Sequence, residues 1–381
     1  MPVRSPRQFL LERWFAEFEF LPGMRNIAGS GAEPPTTAEL LALDGPSATE
    51  RYLTLGLDYI ENPGGEPLRS AIAALHPGLG PEQVRVTTGA SEAILLLIWT
   101  LLQPGDNVVV ADPCYQSHGE LAETLGAEVR RLSLRMEDRW KPDPAQLARL
   151  LDRRTRLVIL NYPHNPSGAA LTGEDLAAVV RVAEDAGAVF VSDEVFRPIA
   201  LDAAPMPSAT EISDRAVAIG DLSKPWGLGG LRVGWLAGRN AAVLRAVGEA
   251  RDYTTMCCSA PSEFLAEITL RHAASLLAPR LDVARGNRAL LAGVIADAAG
   301  LLRWQQPSAG YTAWVQLPAG VQAAPFCRHL AQERAVLLLP GTVFGPRYEG
   351  FVRIGFGGDA HTLDAGLEIL RAELASFAAQ A

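Results

Sequence analysis

The chain has 381 residues, 48% hydrophobic and 20% charged, which supports a large core and two lobes and excludes a disordered polymer. Its formal charge of −9 leaves no electrostatic footprint for nucleic acid or an anionic membrane surface. Cys114, Cys257, Cys258 and Cys327 are too few and too irregular for a disulfide framework, and the adjacent pair lacks a C-x-x-C spacing. A reducing cytoplasm is expected. The six histidines show no metal-ligand spacing.

Residues 5–20 pattern as an amphipathic helix with Leu10, Trp14 and Phe18 on one stripe. Arg4, Arg7, Glu12, Arg13 and Glu17 interrupt it, so it has no signal-peptide core. Asn26–Pro34 (NIAGSGAEP) is a glycine-rich bend where backbone can approach a ligand closely. Asp58–Arg69 (DYIENPGGEPLR) sets Tyr59 before a Pro-Gly-Gly turn and a helix over 67–75.

From about 84 to 238 apolar strands alternate with helices. Strands are expected at Val84–Thr88, Asn107–Ala111, Glu128–Leu134, Arg156–Asn161, Ala188–Ser192, Ala216–Gly220 and Leu231–Ala237. Helices fall at 91–102, 117–125, 144–152 and 173–186. The apolar run Ala93–Leu102 is too short to span a bilayer and reads as a buried helix. The alternation predicts an α/β domain with a mostly parallel sheet covered on both faces. Ligands bind such sheets outside the carboxyl ends of the strands. Beyond 240 the chain reads as helical to about 285, with an interruption at Arg251–Glu263. A helix from 290, strands at Tyr311–Leu317, Ala335–Leu339 and Phe351–Phe356, and a helix after Thr362 form a separate α+β lobe.

The residues at the strand ends carry the chemistry. Thr88-Gly89-Ala90-Ser91 opens the apolar helix, and its free N–H groups and dipole make a phosphate cradle. Tyr115, after Asp112-Pro113-Cys114, can lay its ring beside a flat heterocycle. Asn165, in NYPHNPSG, sits on a stiff loop and can donate to a phenolic oxygen. Asp193 at the mouth of a buried strand invites a cationic partner, such as a protonated pyridine nitrogen. In Asp221–Trp235 (DLSKPWGLGGLRVGW), Lys224 follows the apolar run Val217–Ile219. Desolvation there makes an amine nucleophilic and able to form Schiff bases with carbonyl compounds. Taken singly, each residue has an ordinary structural explanation: a surface lysine, a core tyrosine, a glycine turn.

The order Y…GGEPLR, TTGASEA, DPCY, NYPHNPSGA, SDEV, SKPWGLGGLRVGW, VRIGFG resembles the class I/II aminotransferases, which are fold type I pyridoxal 5'-phosphate (PLP) enzymes. The resemblance implies an α/β fold with a mostly parallel seven-stranded sheet in the large domain and a smaller α+β C-terminal domain. It implies a 1–45 arm packing on the small domain, a 46–287 PLP-binding domain and a 288–381 small domain. By the family's pattern Lys224 holds PLP and moves the α-proton of an amino-acid substrate, and Asp193 pairs with the ring nitrogen. Asn165 meets the ring hydroxyl and Tyr115 stacks on the ring. Gly89, Ala90, Ser91 and Arg232 take the phosphate, and Ser223 belongs to the same cofactor set. Tyr59 matches the tyrosine that reaches the phosphate from the other subunit, implying a homodimer with shared active sites. Arg353 grips the α-carboxylate, as a guanidinium fork suits it, and backbone near Gly31 closes over it.

Two departures stand out. Phe196 occupies a position where many relatives carry tyrosine, so a donor to the ring oxygen is missing and the lysine–cofactor linkage is expected to have a raised pKa. Asp221 stands where many carry serine or threonine, and a carboxylate there repels phosphate; it is expected to face Arg232 or another donor. For the substrate side chain, Trp14, Phe18, Arg25, Tyr115, His118, His164 and Thr255 lie on segments expected near the pocket. His118 and His164 read as hydrogen-bonded structural histidines. Transamination is the base reading for the family. Local strings (NYPHNPSGA, RDYTT, APRLDVARGNR) are also similar to capreomycidine synthase-like enzymes of antibiotic biosynthesis, which eliminate and close a ring on a hydroxylated arginine. The alternative this resemblance implies is elimination and cyclisation, or decarboxylation-linked deamination, on an amino acid or a cysteine conjugate. A non-catalytic, aminotransferase-like regulator would need a DNA-binding domain and a basic stripe, and neither is visible.

Overall fold

Parallel strands buried on both faces must be apolar throughout, and Val108–Ala111, Leu157–Leu160 and Val217–Ile219 are such runs, all essentially fully buried. In the computed structural model, which describes residues 7–298 and 300–378, they form the middle of a seven-stranded sheet. Its order is Val84–Thr87, Gly234–Gly238, Val217–Asp221, Val189–Asp193, Thr155–Asn161, Asn107–Asp112, Glu128–Ser133. Gly234–Gly238 runs antiparallel to both its neighbours. The remaining pairs are parallel. The strand expected at Leu231–Ala237 starts three residues late. Gly229–Leu231 is a 3-10 turn and Arg232 adopts a left-handed conformation (φ 52°), so extended backbone resumes only at Gly234.

The smaller lobe holds a four-stranded antiparallel sheet in the order Leu339–Pro340, Phe351–Gly355, Thr312–Gln316, Arg303–Trp304. Helices Ala323–Arg334 and Ala360–Ala378 belong to this lobe. A single helix of 25 residues, Ala273–Asp297, runs unbroken through positions 287 and 288, where the two lobes were expected to divide.

The N-terminal segment is divided between the lobes. Its helix is observed over Leu10–Phe18, and the expected start at Ser5 lies outside the described residues. Trp14 and Phe18 are buried as expected, but Leu10 is exposed, and Leu11 and Phe15 complete the buried face. The Trp14 indole N–H donates to the Leu338 carbonyl at 2.8 Å, tying this arm to the small lobe. Helix Thr37–Leu43 instead packs its Leu40 and Leu41 with Leu68, Ile72 and Leu265 of the large lobe. Between them Arg25–Asn26 pairs in parallel with Val336–Leu337, a contact that two residues of strand cannot announce in sequence. The chain then runs so close to Phe351–Gly355 that a Cβ on Gly355 would lie 1.7 Å from the Gly29 carbonyl oxygen.

Behind the sheet, the Trp235 indole N–H donates to Nε2 of buried His76 at 3.2 Å, so that nitrogen must carry a lone pair. Nδ1 faces Ser208 Oγ at 3.1 Å. Burial drives the His76 pKa from 6.5 down to about 3. His164, held between Ser167 Oγ (2.7 Å) and the Pro113 carbonyl (2.9 Å), is driven down to about 4, again by burial. Between these values and about 6.5 the unfolded chain binds more protons than the folded one, so stability falls as pH falls through that window. The urea midpoint should therefore decline from pH 7 to pH 5. A flat midpoint across that interval would contradict two buried neutral imidazoles.

Candidate active site

A cavity of about 570 Å³ opens at the carboxyl ends of the central strands, between the large sheet, the arm helix and the Phe351–Gly355 strand. Asn161, Asp193 and Asp221, each the last residue of its strand, reach it from below. Pleating and parallel register bring these positions to one edge, which is why the strand-end rule worked.

One end is built for an oxyanion. The 12-residue helix Ala90–Leu101 begins there, capped by Gly89 at φ 78° with no side chain on its first N–H groups. Arg232 packs so tightly on this cap that a Cβ on Gly89 would lie 2.4 Å from Nη2. A Cβ on Gly234 would lie 2.5 Å from the Ala90 nitrogen, so the strand backbone and the helix start touch directly. Ser91 and Ser223 add hydroxyls to the same lining. Guanidinium, helix N-terminus and hydroxyls are the donor set a phosphate dianion needs. Glu92 completes the cap from outside the cavity. It accepts from the Thr88 N–H at 2.6 Å and from the Thr254 and Thr255 hydroxyls at 2.6 and 2.8 Å.

The middle is built for a flat cationic heterocycle. Asp193 is buried; its Oδ2 meets His118 Nε2 at 3.0 Å and its Oδ1 accepts from the Val195 N–H at 3.2 Å. Asn161 donates its amide to the Asp193 carbonyl (2.9 Å) and accepts the Asn165 N–H (2.9 Å), locking the two loops together. Tyr115 is part-buried with its hydroxyl beside Ser91, and burial pushes that hydroxyl up to about 12. Phe196 lines the cavity with a ring and no polar atom.

Lys224 stands part-buried beside them. Desolvation lowers its pKa below the usual 10.5, the Asp221 carboxylate opposes that shift, and the Arg353 and Arg232 charges reinforce it. Of the two expectations for Asp221, Arg232 or another donor, the structure gives the second. Its Oδ1 accepts from the Ser223 N–H at 2.9 Å, while Arg232 Nη1 donates to the Gly229 carbonyl at 3.0 Å. Burial raises the Asp221 pKa. Arg353, only 2% exposed, donates from Nη1 to Asn165 Oδ1 (3.1 Å) and from Nη2 to the Ala28 carbonyl (2.8 Å). Its Nε has no partner. Burial lowers its pKa to about 10. Gly31 lies over Lys224, since the next residue's N–H reaches the Lys224 carbonyl at 3.4 Å.

Lys224, Asp193, Ala90, Ser91, Tyr115, Asn165, Ser223, Arg232, Gly31 and Arg353 thus line one cavity, with Gly89 at its rim. Tyr59 does not line it and is 79% exposed. Of the expected side-chain contacts, only Tyr115 lines the cavity. Trp14 turns to the small lobe, Arg25 lies in the short strand, Thr255 is taken by Glu92, and His118 and His164 are held by internal hydrogen bonds. The arm supplies Leu11, Glu12, Phe15 and Glu19 instead. Helical periodicity revealed the arm's helix, but not which part of its polar face meets another lobe.

Residues 56–370 match the family model for aminotransferase class I and II. The chain belongs to the aminotransferase class I and II family. It is 36% identical to capreomycidine synthase from Streptomyces vinaceus, over 97% of this chain and 94% of that protein. It is 30% identical to the arginine–pyruvate transaminase AruH of Pseudomonas aeruginosa, over 81% of this chain and 80% of that protein. The crystal structure of the PLP-dependent cyclase OrfR superposes with a TM-score of 0.90 at 34% identity, covering 99% of both chains. The chain is therefore a PLP-dependent enzyme of this family, and the donor sets described above fit that cofactor's phosphate and ring. Gly234→Ala should weaken PLP binding by at least about tenfold, because its methyl would displace the helix start from the phosphate. Absorbance titration of the apoenzyme measures this; unchanged affinity would mean that the helix start is not the phosphate site.

Proposed function

We propose that the enzyme closes a ring on a β-substituted amino acid, as a capreomycidine synthase-like cyclase, by working at the α-carbon with Lys224. The observation that carries this reading is the reach of the similarity. It extends over 97% of the chain for capreomycidine synthase and 99% for OrfR, and so takes in the arm that walls the cavity. Transamination is the second reading, favoured by the family and by the arginine–pyruvate transaminase.

PLP, when bound, supplies an electron sink that makes the substrate's α-proton acidic. In this assignment Gly89, Ala90, Ser91, Ser223 and Arg232 hold its phosphate, and Tyr115 lies along its ring. Asp193 keeps a proton on the ring nitrogen, with His118 and Asn161 positioning it. Asn165, its Oδ1 taken by Arg353, presents its Nδ2 hydrogens to the ring hydroxyl. Arg353 takes the α-carboxylate with the guanidinium donors it has left, under the backbone of Gly31. Lys224, its amine favoured neutral by desolvation, removes the α-proton and later returns it. In the cyclase reading a β-hydroxyl leaves as water and a side-chain nitrogen bonds to the β-carbon, so the net change is loss of one water.

A homodimer is part of the proposal, with Tyr59 reaching the neighbouring subunit's phosphate. Tyr59 is exposed together with Leu57, and Asn62 ties this segment to Asp252 (2.7 Å) beside an exposed Trp99–Tyr253 pair whose rings lie 6.5 Å apart. Such exposed apolar groups suit an interface. Sedimentation should give twice the chain mass, and a monomer at micromolar concentration would remove Tyr59 from the site. We place the enzyme in the cytoplasm, where its free cysteines stay reduced.

The reaction is decided by incubating holoenzyme with a panel of amino acids that includes a β-hydroxylated arginine. Cyclisation predicts a product lighter by one water while the cofactor keeps its aldehyde form. Accumulation of the cofactor's amine form and an oxo acid would establish transamination instead. Lys224→Ala should lose the borohydride-fixable absorbance near 400–430 nm, and retention of that band would sink the lysine's assignment.

A further inference from the structure

Two carboxylates in the cavity are left without a task once the cofactor and the α-carboxylate are assigned. Glu12 and Glu19 lie on one side of the arm, seven residues apart. That is two helical turns, on the order of 10 Å of rise along the cavity wall. Neither makes an ion pair among the described residues.

The arm's own electrostatics accounts for Glu12 but not for Glu19. Glu12 stands in the first helical turn, where the dipole favours an anion. Glu19 is the C-cap, where the dipole disfavours one. Burial raises its pKa, and the Glu12 charge raises it further. Its one hydrogen bond comes from Asn26 Nδ2 to Oε1 at 3.1 Å, which orients the carboxylate and leaves Oε2 without a partner. Asn26 is itself held by the Ala28 N–H donating to its Oδ1 at 3.0 Å, and the Ala28 carbonyl receives Arg353 Nη2 at 2.8 Å. Glu19 is thus wired through two residues, Asn26 and Ala28, to Arg353, which lines the same cavity. The charge of Lys224 acts against the rise in the Glu19 pKa, but that amine is assigned to the cofactor. An anion half removed from water at the unfavourable end of a helix and braced by a dedicated amide thus keeps one oxygen for a cation brought by the substrate.

We infer that Glu12 and Glu19 select a substrate whose side chain ends in a cation, a guanidinium above all. This rests on the assignment of Arg353 to the α-carboxylate and Lys224 to the α-carbon. A guanidinium reaching this wall gives the free oxygen of Glu19 a planar, charge-assisted partner, and Glu12 adds attraction from the first turn. A neutral side chain of the same length gives neither carboxylate a charge-assisted partner. The two glutamates act on binding and take no part in the proton transfer.

The test is equilibrium binding of L-arginine and of its neutral isostere L-citrulline to the holoenzyme, followed by cofactor absorbance and by calorimetry. Arginine should bind at least about tenfold tighter, the scale of hydrogen bonding to a charged group, and the margin should shrink in 0.5 M salt. In the Glu12→Gln/Glu19→Gln variant the ratio should fall toward one. Equal binding by the unmodified enzyme would overturn the inference and leave the amino-acid reading intact. A preference that survives in the double variant would overturn the role of these glutamates. Absence of any response to either amino acid would overturn both the inference and the reading beneath it. Should the double variant fail to fold, Glu12→Gln alone serves, because Glu12 makes no hydrogen bond in the fold; an unreduced ratio there would remove Glu12 from the selector.

Discussion

Everything in this site depends on meeting both oxygens of Asp193 in a place that is almost dry. A carboxylate at the end of a buried strand is costly unless each oxygen is met. Here one oxygen meets His118 and the other the Val195 N–H, while Asn161 fastens the same strand end to the Asn165 loop. Asn165 in turn receives Arg353 from the small lobe. The carboxylate that suits a ring nitrogen and the arginine that suits a substrate carboxylate are therefore parts of one hydrogen-bonded unit. A shift of either lobe moves both.

The same economy shapes the phosphate end. Gly89 and Gly234 are glycines because Arg232 and the helix start occupy the space where their Cβ atoms would be. Arg232 is held in a left-handed conformation, which for a residue with a side chain is tolerated only when its surroundings over-determine it. That local strain shortens the final strand and aims the guanidinium at the helix. The motif's glycine-rich spelling is a record of close packing between a strand, a turn and a helix N-terminus.

Much of this was legible before any coordinates. The alternation of apolar strands and helices announced the sheet, because burial on both faces demands uninterrupted Val, Ile, Leu and Ala. The strand-end rule then picked out Asp193, Asn165 and Tyr115, and the position of Lys224 after an apolar run announced its desolvation. What could not be read were contacts between segments far apart in sequence. The Arg25–Asn26 strand is too short to show a period. Asn161 looked like the end of a strand, yet it braces two loops. Asp221 was expected to face Arg232 or another donor, and only the fold shows that the donor is the adjacent Ser223 N–H. Trp14 and Phe18 carried the obvious apolar signal of the arm, and both point away from the cavity.

The sequence by itself determined the cofactor chemistry and the scaffold, because strand periodicity, glycine positions and strand-end residues are local properties read along the chain. Tertiary structure decided which of the remaining charges share a cavity. Glu12 and Glu19 look like ordinary helix-surface residues until the arm is laid between the lobes, and Arg353 gains its unmatched donor only when Ala28 and Asn165 converge on it. Helix geometry sets which residues lie on one face. Only packing sets what that face looks at, and the identity of the side chain the enzyme accepts is written there.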